Sequence, residues 1–316
     1  MTVRVFNKTG KKLKEIDSRP FDSEKGIQDM IEESLVDVFG LDYVRSEFPI
    51  RGYRVDTLCF DPVNKSFVII EYKKDKKFSV IDQGYTYLSL LLDNKSDFVL
   101  EYNEKKGKTL KRDQVDWSQS RIIFISPEFT DYQKQSVNFK DVPFGLWEIR
   151  KYGKELFTLS EHRPNSEVSI SSTTKKGDGV VSKVSKEIRV YTESHHVTER
   201  IREKNPKIVE VYENLKDRVL SLSEVEMGVT KVYISFKYKR PVVDVEVGQK
   251  SLKVTINLKK GSLKDPKKLS RDVSKVGHRG NGDYCVYVTP ETDLDYLMFL
   301  INQSYKDKVS EKSEKK

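Results

Sequence analysis

Residues 54–74 read RVDTLCFDPVNKSFVIIEYKK, and the order of apolar and acidic positions within them decides the fold. Val55, Leu58 and Phe60, then Phe67, Val68, Ile69 and Ile70, form two short apolar runs rich in branched side chains, the composition of β-strands. Between them, Pro62-Val63-Asn64-Lys65 supplies turn residues. The strands are therefore expected to be antiparallel neighbours, with Asp56 on one beside Glu71 on the other. Side chains alternate along a strand, so Glu71 and Lys73 share a face. Two carboxylates and an ammonium at a strand end suit a divalent-metal site that cuts phosphodiesters. The carboxylates would hold a hard cation through oxygen, and the lysine would orient or activate the attacking water.

Working outward, residues 3–16 pattern as a hairpin turning at Asn7-Lys8-Thr9-Gly10. A helix is expected from about Asp22 to Phe39, stopped by Gly40. Strands are expected at 44–50, 53–60 and 66–73, then a helix from about Ser79 to Leu92 with a good N-cap residue. Strands at 97–102 and 121–125, a short helix near 130–138, and FGLWEIRKY and KELFTL complete a first domain near residue 160. This α–β–β–β–α–β order fits a mixed sheet flanked by helices.

At these residues the chain resembles the PD-(D/E)XK nuclease superfamily, and its N-terminal part is most similar to the NucS-type archaeal endonucleases. The likeness runs from Ser23-Glu24-Lys25-Gly26-Ile27-Gln28 through Arg54-Val55-Asp56 and Ile70-Glu71-Tyr72-Lys73 to Gln83 and Tyr87 in DQGYTYL. The resemblance implies an α/β fold, a restriction-endonuclease-like mixed sheet flanked by helices, followed by a second, smaller α+β domain. It also implies a metal-dependent nuclease centred on Asp56, Glu71 and Lys73, with Mg²⁺ or Mn²⁺ bound by Asp56 and Glu71 and the Tyr72 carbonyl as an extra ligand. Gln83 matches the family's glutamine beside the active site; a Gln and Tyr at a helix–sheet boundary is the plain alternative.

A helix carboxylate is also expected at the site, and ~100° per residue chooses among three. Glu24 shares the line of Ile27, Ile31, Leu35 and Val38; Glu33 falls opposite, and Glu32 about a quarter turn away. Glu24 is therefore the candidate and Glu33 the runner-up, although a carboxylate at a helix N-terminus is favourable for structural reasons alone.

From Glu161 to about Val197 apolar content falls, and SEVSISSTTKKGDGVVSKVSKE has the composition of a flexible linker. A basic accessory domain is expected over 198–305: a helix from Thr198 to Leu222, strands at 230–238, 241–247, 251–258 and 283–289, and a helix from Thr292 to Ser304. Residues 306–316 are charged and expected to be disordered. This half resembles a small α+β domain of unknown function sometimes labelled a predicted transport protein, through VSKVGHRGNGDYCVYV and LDYLMFLINQSY.

The formal charge of +9 divides unevenly. Residues 1–160 carry 27 Lys+Arg against 26 Asp+Glu, and 161–316 carry 31 against 23. A basic surface draws polyanions through counterion release, so nucleic acid, in the first place DNA, is the expected partner. Candidate phosphate contacts are Lys74, Lys76 and Lys77 beside the motif, Lys106 and Lys108 further on, and Lys259, Lys260, Lys268 and Arg271 in the second domain. Solvated surface is the plain alternative for each. His195 and His196 lack zinc spacing, the Gly-rich loop around His278 is no Walker or dinucleotide fingerprint and reads as a plain loop, and Cys59 and Cys285 are expected as core thiols. No apolar run approaches the ~20 residues of a membrane span, and no signal-like segment opens the chain, so a cytoplasmic protein is expected. Cutting both strands with one site per chain would favour a homodimer. The alternative class is a non-catalytic nucleic-acid-binding or defence-system adaptor on a nuclease scaffold; a small-molecule module built on the second domain comes third.

Overall fold

The two apolar runs around the Pro62 turn form adjacent antiparallel strands at the middle of a mixed sheet. This is a computed structural model, and it describes residues 3–74, 78–166, 168–170, 179–276 and 280–310. Lys76, Lys77 and His278 lie outside the described residues. The chain forms two units, Met1–Val190 and Tyr191–Lys316, each with its own core.

The first unit runs β1 (Val5–Thr9), β2 (Lys12–Ile16), β3 (Ser18–Arg19), α1 (Glu24–Glu33), α2 (Leu35–Phe39), β4 (Asp42–Ile50), β5 (Tyr53–Asp61) and β6 (Ser66–Tyr72). It continues through α3 (Val80–Asp93), α4 (Lys95–Lys106), β7 (Arg121–Ser126), α5 (Asp131–Ser136), β8 (Phe144–Tyr152), β9 (Leu156–His162) and α6 (Gly179–Glu187). Seven strands make one sheet in the order β3-β8-β7-β6-β5-β4, with β9 on β8. β6, β7 and β8 are parallel; the other pairings are antiparallel. Every residue of β6 is buried because both faces are covered. Val68, Ile70 and Tyr72 pack with Ile27 and Ile31 of α1, while Phe67 and Ile69 pack with Leu88 and Leu91 of α3.

Five expectations need correction. Residues 97–102 belong to a helix, α4, not a strand: Phe98, Val99 and Tyr102 bury one helical face, with Phe98 edge-on to Phe48 and Phe67. A short apolar run does not separate the two states by periodicity, and packing on the sheet decides it. The helix expected over 22–39 breaks at Ser34 into α1 and α2, which leaves Val38 exposed rather than on the buried stripe. The stretch 161–197 is not a linker throughout: Ile170, Val184 and Ile188 are buried in the first unit's core, and α6 packs on α3. The tail is helical as far as Ser310.

The second unit contains α7 (Glu193–His196), α8 (Glu199–Lys204), α9 (Pro206–Leu220), β10 (Glu226–Val229), β11 (Ile234–Tyr238), β12 (Arg240–Val247), β13 (Leu252–Ile256), β14 (Arg271–Asp272), β15 (Tyr284–Val288) and α10 (Leu294–Ser310). Its six strands are all antiparallel, in the order β10-β11-β12-β13-β15-β14. The single helix expected over 198–222 is divided at Asn205-Pro206, where proline takes the first helical position because it needs no donor there. Cys59 and Cys285 are both buried free thiols. Among the described residues no helix is long and apolar enough to cross a membrane.

Candidate active site

The β5–β6 ladder stops at the Thr57–Ile70 pair, and the strands part there. Two main-chain donors lose their ladder partners at that point, and the acidic side chains take them in a crossed arrangement. Asp56 Oδ2 accepts the Tyr72 N–H at 3.0 Å, and Glu71 Oε1 accepts the Asp56 N–H at 3.2 Å. Each carboxylate thus closes the strand that carries the other. The same geometry brings both toward one ammonium: Lys73 Nζ lies 3.2 Å from Glu71 Oε2 and 3.9 Å from Asp56 Oδ2. Lys73 is itself held, since its N–H donates to the Ile125 carbonyl at 2.9 Å.

From α3, Gln83 Nε2 donates to Glu71 Oε2 at 2.9 Å and reaches the Tyr87 hydroxyl at 3.3 Å. The Tyr87 hydroxyl donates in turn to the Arg54 carbonyl at 3.0 Å. Gln83 and Tyr87, one turn apart, therefore join the helix to the acidic pair. Ser79 starts α3 as an N-cap, accepting from the Asp82 N–H, and so fixes where Gln83 falls.

Electrostatically the pair is unusual. Glu71 is 1 % exposed and Asp56 partly buried. Burial first, then the neighbouring Asp56 charge, pushes the Glu71 carboxyl up to about 8. Burial also raises Asp56, against the Tyr72 N–H and Lys73, which favour its charged form. Among the described residues no group of three His, Cys, Asp or Glu side chains gathers as a metal cage would require. A cation held here would rest on this pair.

Glu24 faces the sheet end but does not join the pair: its Oε1 accepts the Lys74 N–H at 2.9 Å, and Glu33 is exposed. Lys74 Nζ donates to the Asp22 carbonyl, binding β6 to the entrance of α1. Lys106 and Lys108 are exposed and lie near the far end of the β5–β6 hairpin: the Tyr102 hydroxyl accepts from Lys108 Nζ, and the Tyr102 ring packs on Phe60 and Phe67. In the second unit Lys260 pairs with Asp272, and the β14 residue Arg271 is exposed with Lys259; Lys268 has a left-handed backbone, φ 53°. Phe236 and Tyr238 are core residues there, whereas Tyr287 is exposed.

One layer was missed from the sequence. Gln28 of α1 is buried, and its Nε2 lies within hydrogen-bond distance of the Asp56 carbonyl (2.8 Å), Ser46 Oγ (2.8 Å) and Glu32 Oε1 (2.9 Å). Thr57 Oγ1 donates to the same Glu32 oxygen at 2.5 Å. The signal was a polar residue, Gln28, set beside Ile27 on the apolar stripe of a helix, where an amide persists only with partners.

These features define a two-unit protein whose mixed α/β unit carries a partly buried Asp–Glu–Lys cluster and whose second unit is an antiparallel sheet with helices. The chain is 43% identical over 311 residues to a Haemophilus influenzae protein described as "Uncharacterized protein", covering 96% of this chain and all of that one, and it belongs to the same family. Residues 197–308 match the family model described as "Domain of unknown function (DUF5655)", which falls within the second unit. Two solved structures show partial likeness. One is a repair endonuclease from Pyrococcus abyssi, 20% identical over 38% of this chain and 45% of that chain, TM-score 0.23. The other is an EndoMS–dsDNA complex, 21% identical over 36% of this chain and 40% of that chain, TM-score 0.22. Each alignment spans less than half of the solved chain.

Proposed function

We propose that the first unit is a restriction-endonuclease-like domain that hydrolyses DNA phosphodiester bonds with a divalent metal at Asp56 and Glu71. The observation that carries this is the convergence of two carboxylates, one of them nearly inaccessible, on a single ammonium at the point where two strands part. Ladder closure needs no charged side chain, and burying a carboxyl beside another is costly. The donor set fits Mg²⁺ or Mn²⁺: hard oxygens and few protein ligands, so that water and substrate phosphate would complete the shell. When bound, the cation would polarise the phosphoryl oxygen and offset the charge that develops there. Asp56 and Glu71 would hold it, Gln83 would keep Glu71 in its rotamer, and Lys73 would orient the attacking water. Gln28 and Glu32 would keep the Asp56 backbone in place.

Wild-type protein is expected to cleave DNA with Mg²⁺ or Mn²⁺. Asp56→Asn and Glu71→Gln should abolish cleavage and weaken metal binding in a calorimetric titration. Lys73→Ala should lower the rate by roughly 10²–10⁴-fold while metal binding survives, because an ammonium is not a ligand. If neither carboxylate variant changes metal affinity, the proposal fails.

A non-catalytic nucleic-acid-binding role is the second reading. It is favoured by the crossed hydrogen bonds, which already give each carboxylate a structural task. Wild-type protein that binds DNA but cleaves none, with any divalent cation, would select it.

A further inference from the structure

A sheet edge exposes unpaired N–H and C=O groups that template pairing with another strand, and folded chains guard such edges. Every other sheet edge among the described residues carries a guard. β4 has a register shift between Tyr43 and Arg45, a left-handed Glu47 (φ 54°) and Pro49. β3 and β14 are two residues long and β10 is four. The β1–β2 hairpin carries Lys8, Lys12 and Lys14. β9 has none of these devices: Leu156–His162 is seven residues long, pairs with β8 in unbroken register, and lacks proline, lysine and arginine. Among the described residues no strand pairs with its outer edge. Leu156 and Phe157 are 49 % and 41 % exposed there, while Leu159 packs partly buried on the α1 side of the sheet. The one carboxylate within the strand, Glu161, is already paired with Arg163, whose Nε donates to it at 2.8 Å.

We infer that β9 is a strand-addition edge whose occupant is β9 of a second copy of this chain, giving a dimer with one sheet running through both copies. The inference goes beyond the proposed catalysis and does not rest on it. The occupant follows from the strand's self-complementarity. Antiparallel pairing about a two-fold at Leu159 sets the two Leu159 side chains opposite each other, Thr158 opposite Ser160, and Glu155 opposite Arg163. An apolar pair then sits on the axis, hydroxyls face each other beside it, and opposite charges close both ends. Phe157 falls opposite Glu161 and Leu156 opposite His162, so no like charges meet. The axis stands normal to the sheet, so side chains on the α1 side meet their counterparts on the α1 side. β6 stands three strand spacings from β9 in each copy, so the two acidic pairs would lie about 34 Å apart along the joined sheet. The dimer thus builds no shared active site, and each copy keeps its own.

The test is sedimentation equilibrium of full-length protein in EDTA over roughly 1–200 µM, which brackets the micromolar dissociation expected of so short a seam. Wild-type protein should pass from monomer to dimer across this range. Ser160→Lys, at an exposed position, puts a guarding charge on the edge and should shift the transition above the range. Glu155→Arg and Arg163→Glu should each weaken association about tenfold, and the two combined should restore it, because only the proposed register sets these residues opposite each other. Unchanged melting temperatures show that the variants are folded. As a check on the axis, Leu159→Cys should give a disulfide-linked dimer on mild oxidation, whereas Ser160→Cys, displaced along the strand from its own counterpart, should not. The native thiols, Cys59 and Cys285, are buried and do not compete. Protein that stays monomeric throughout the range overturns the inference and leaves the edge to an extended segment of another protein. A dimer indifferent to both charge reversals overturns it as well, as does one that Ser160→Cys links as readily as Leu159→Cys.

Discussion

Glu71 is the residue whose chemistry most departs from its surroundings. Its carboxyl is held up to about 8 in the fold against an ordinary value near 4.5 in the unfolded chain. In metal-free protein the folded state therefore keeps a proton that the unfolded state has released, across the window from about 4.5 to about 8. Where the folded state binds more protons, stability falls as pH rises, so it should decline through that window. Urea midpoints measured in EDTA at pH 5, 6.5 and 8 should show the decline, and Glu71→Gln should flatten it. A decline of equal size in the variant would place its source elsewhere. At the same scale, Glu24 is exposed yet spends its carboxylate on the Lys74 N–H, while Glu32, a quarter turn round the helix, reaches Thr57 and Gln28. Helical angle fixes the sheet-facing line but not the reach of a three-torsion side chain off that line.

Among the elements, α3 sets the site because it places Gln83 and Tyr87, and its approach to the sheet depends on Gly84. A Cβ at that position would meet the Phe144 ring at 2.6 Å. Gly84→Ala gains about 1 kcal/mol of helix propensity but overpacks a buried ring at about 1–3 kcal/mol. The net expectation is modest destabilisation together with lower cleavage, as α3 rides outward and the Gln83–Glu71 bond lengthens. In the second unit a Cβ at Gly282 would lie 1.9 Å from the Ile256 carbonyl oxygen, which is backbone and has nowhere to go. Gly282→Ala should unfold or severely loosen that unit, seen as loss of its cooperative transition. Element identity was legible where apolar runs were long or well capped, as in β5, β6 and α3. It failed at 97–102, where six residues fit either state and contact with Phe48 and Phe67 chose the helix. The Ser- and Lys-rich composition of 161–197 likewise concealed Val184, fully buried in the first core. Val184→Asp should lower the first unit's melting temperature and abolish hydrogen-exchange protection over α6.

For the whole molecule, charge follows the two units less sharply than it follows the halves of the sequence. Met1–Val190 carries 33 Lys+Arg against 30 Asp+Glu, and Tyr191–Lys316 carries 25 against 19. Some of the second unit's lysines are already paired, Lys260 with Asp272, Lys267 with Asp293 and Lys253 with Glu246. If the surplus serves nucleic acid, residues 191–316, which have their own core, should bind DNA more tightly than 1–190, and both affinities should fall steeply with salt. A titration at 50 and 200 mM salt checks this. A second unit without salt-sensitive affinity would mean that its charge keeps it in solution and that it recognises something else.

The sequence by itself determined the β5–turn–β6 pairing, the alternation that gives Glu71 and Lys73 one face, and the Ser79 cap that registers Gln83. Each is a local consequence of period, turn chemistry or capping, and each is settled within a few residues. Only the tertiary structure decided that the strands part beyond Thr57 and that the two carboxylates exchange main-chain donors across the gap. It alone set Gln28 and Glu32 beneath Asp56, and Tyr53 against Tyr87. Those contacts join residues 15 or more positions apart. Their existence depends on how α1, α3 and the sheet pack together, a balance of burial and hydrogen-bond satisfaction that no single segment contains.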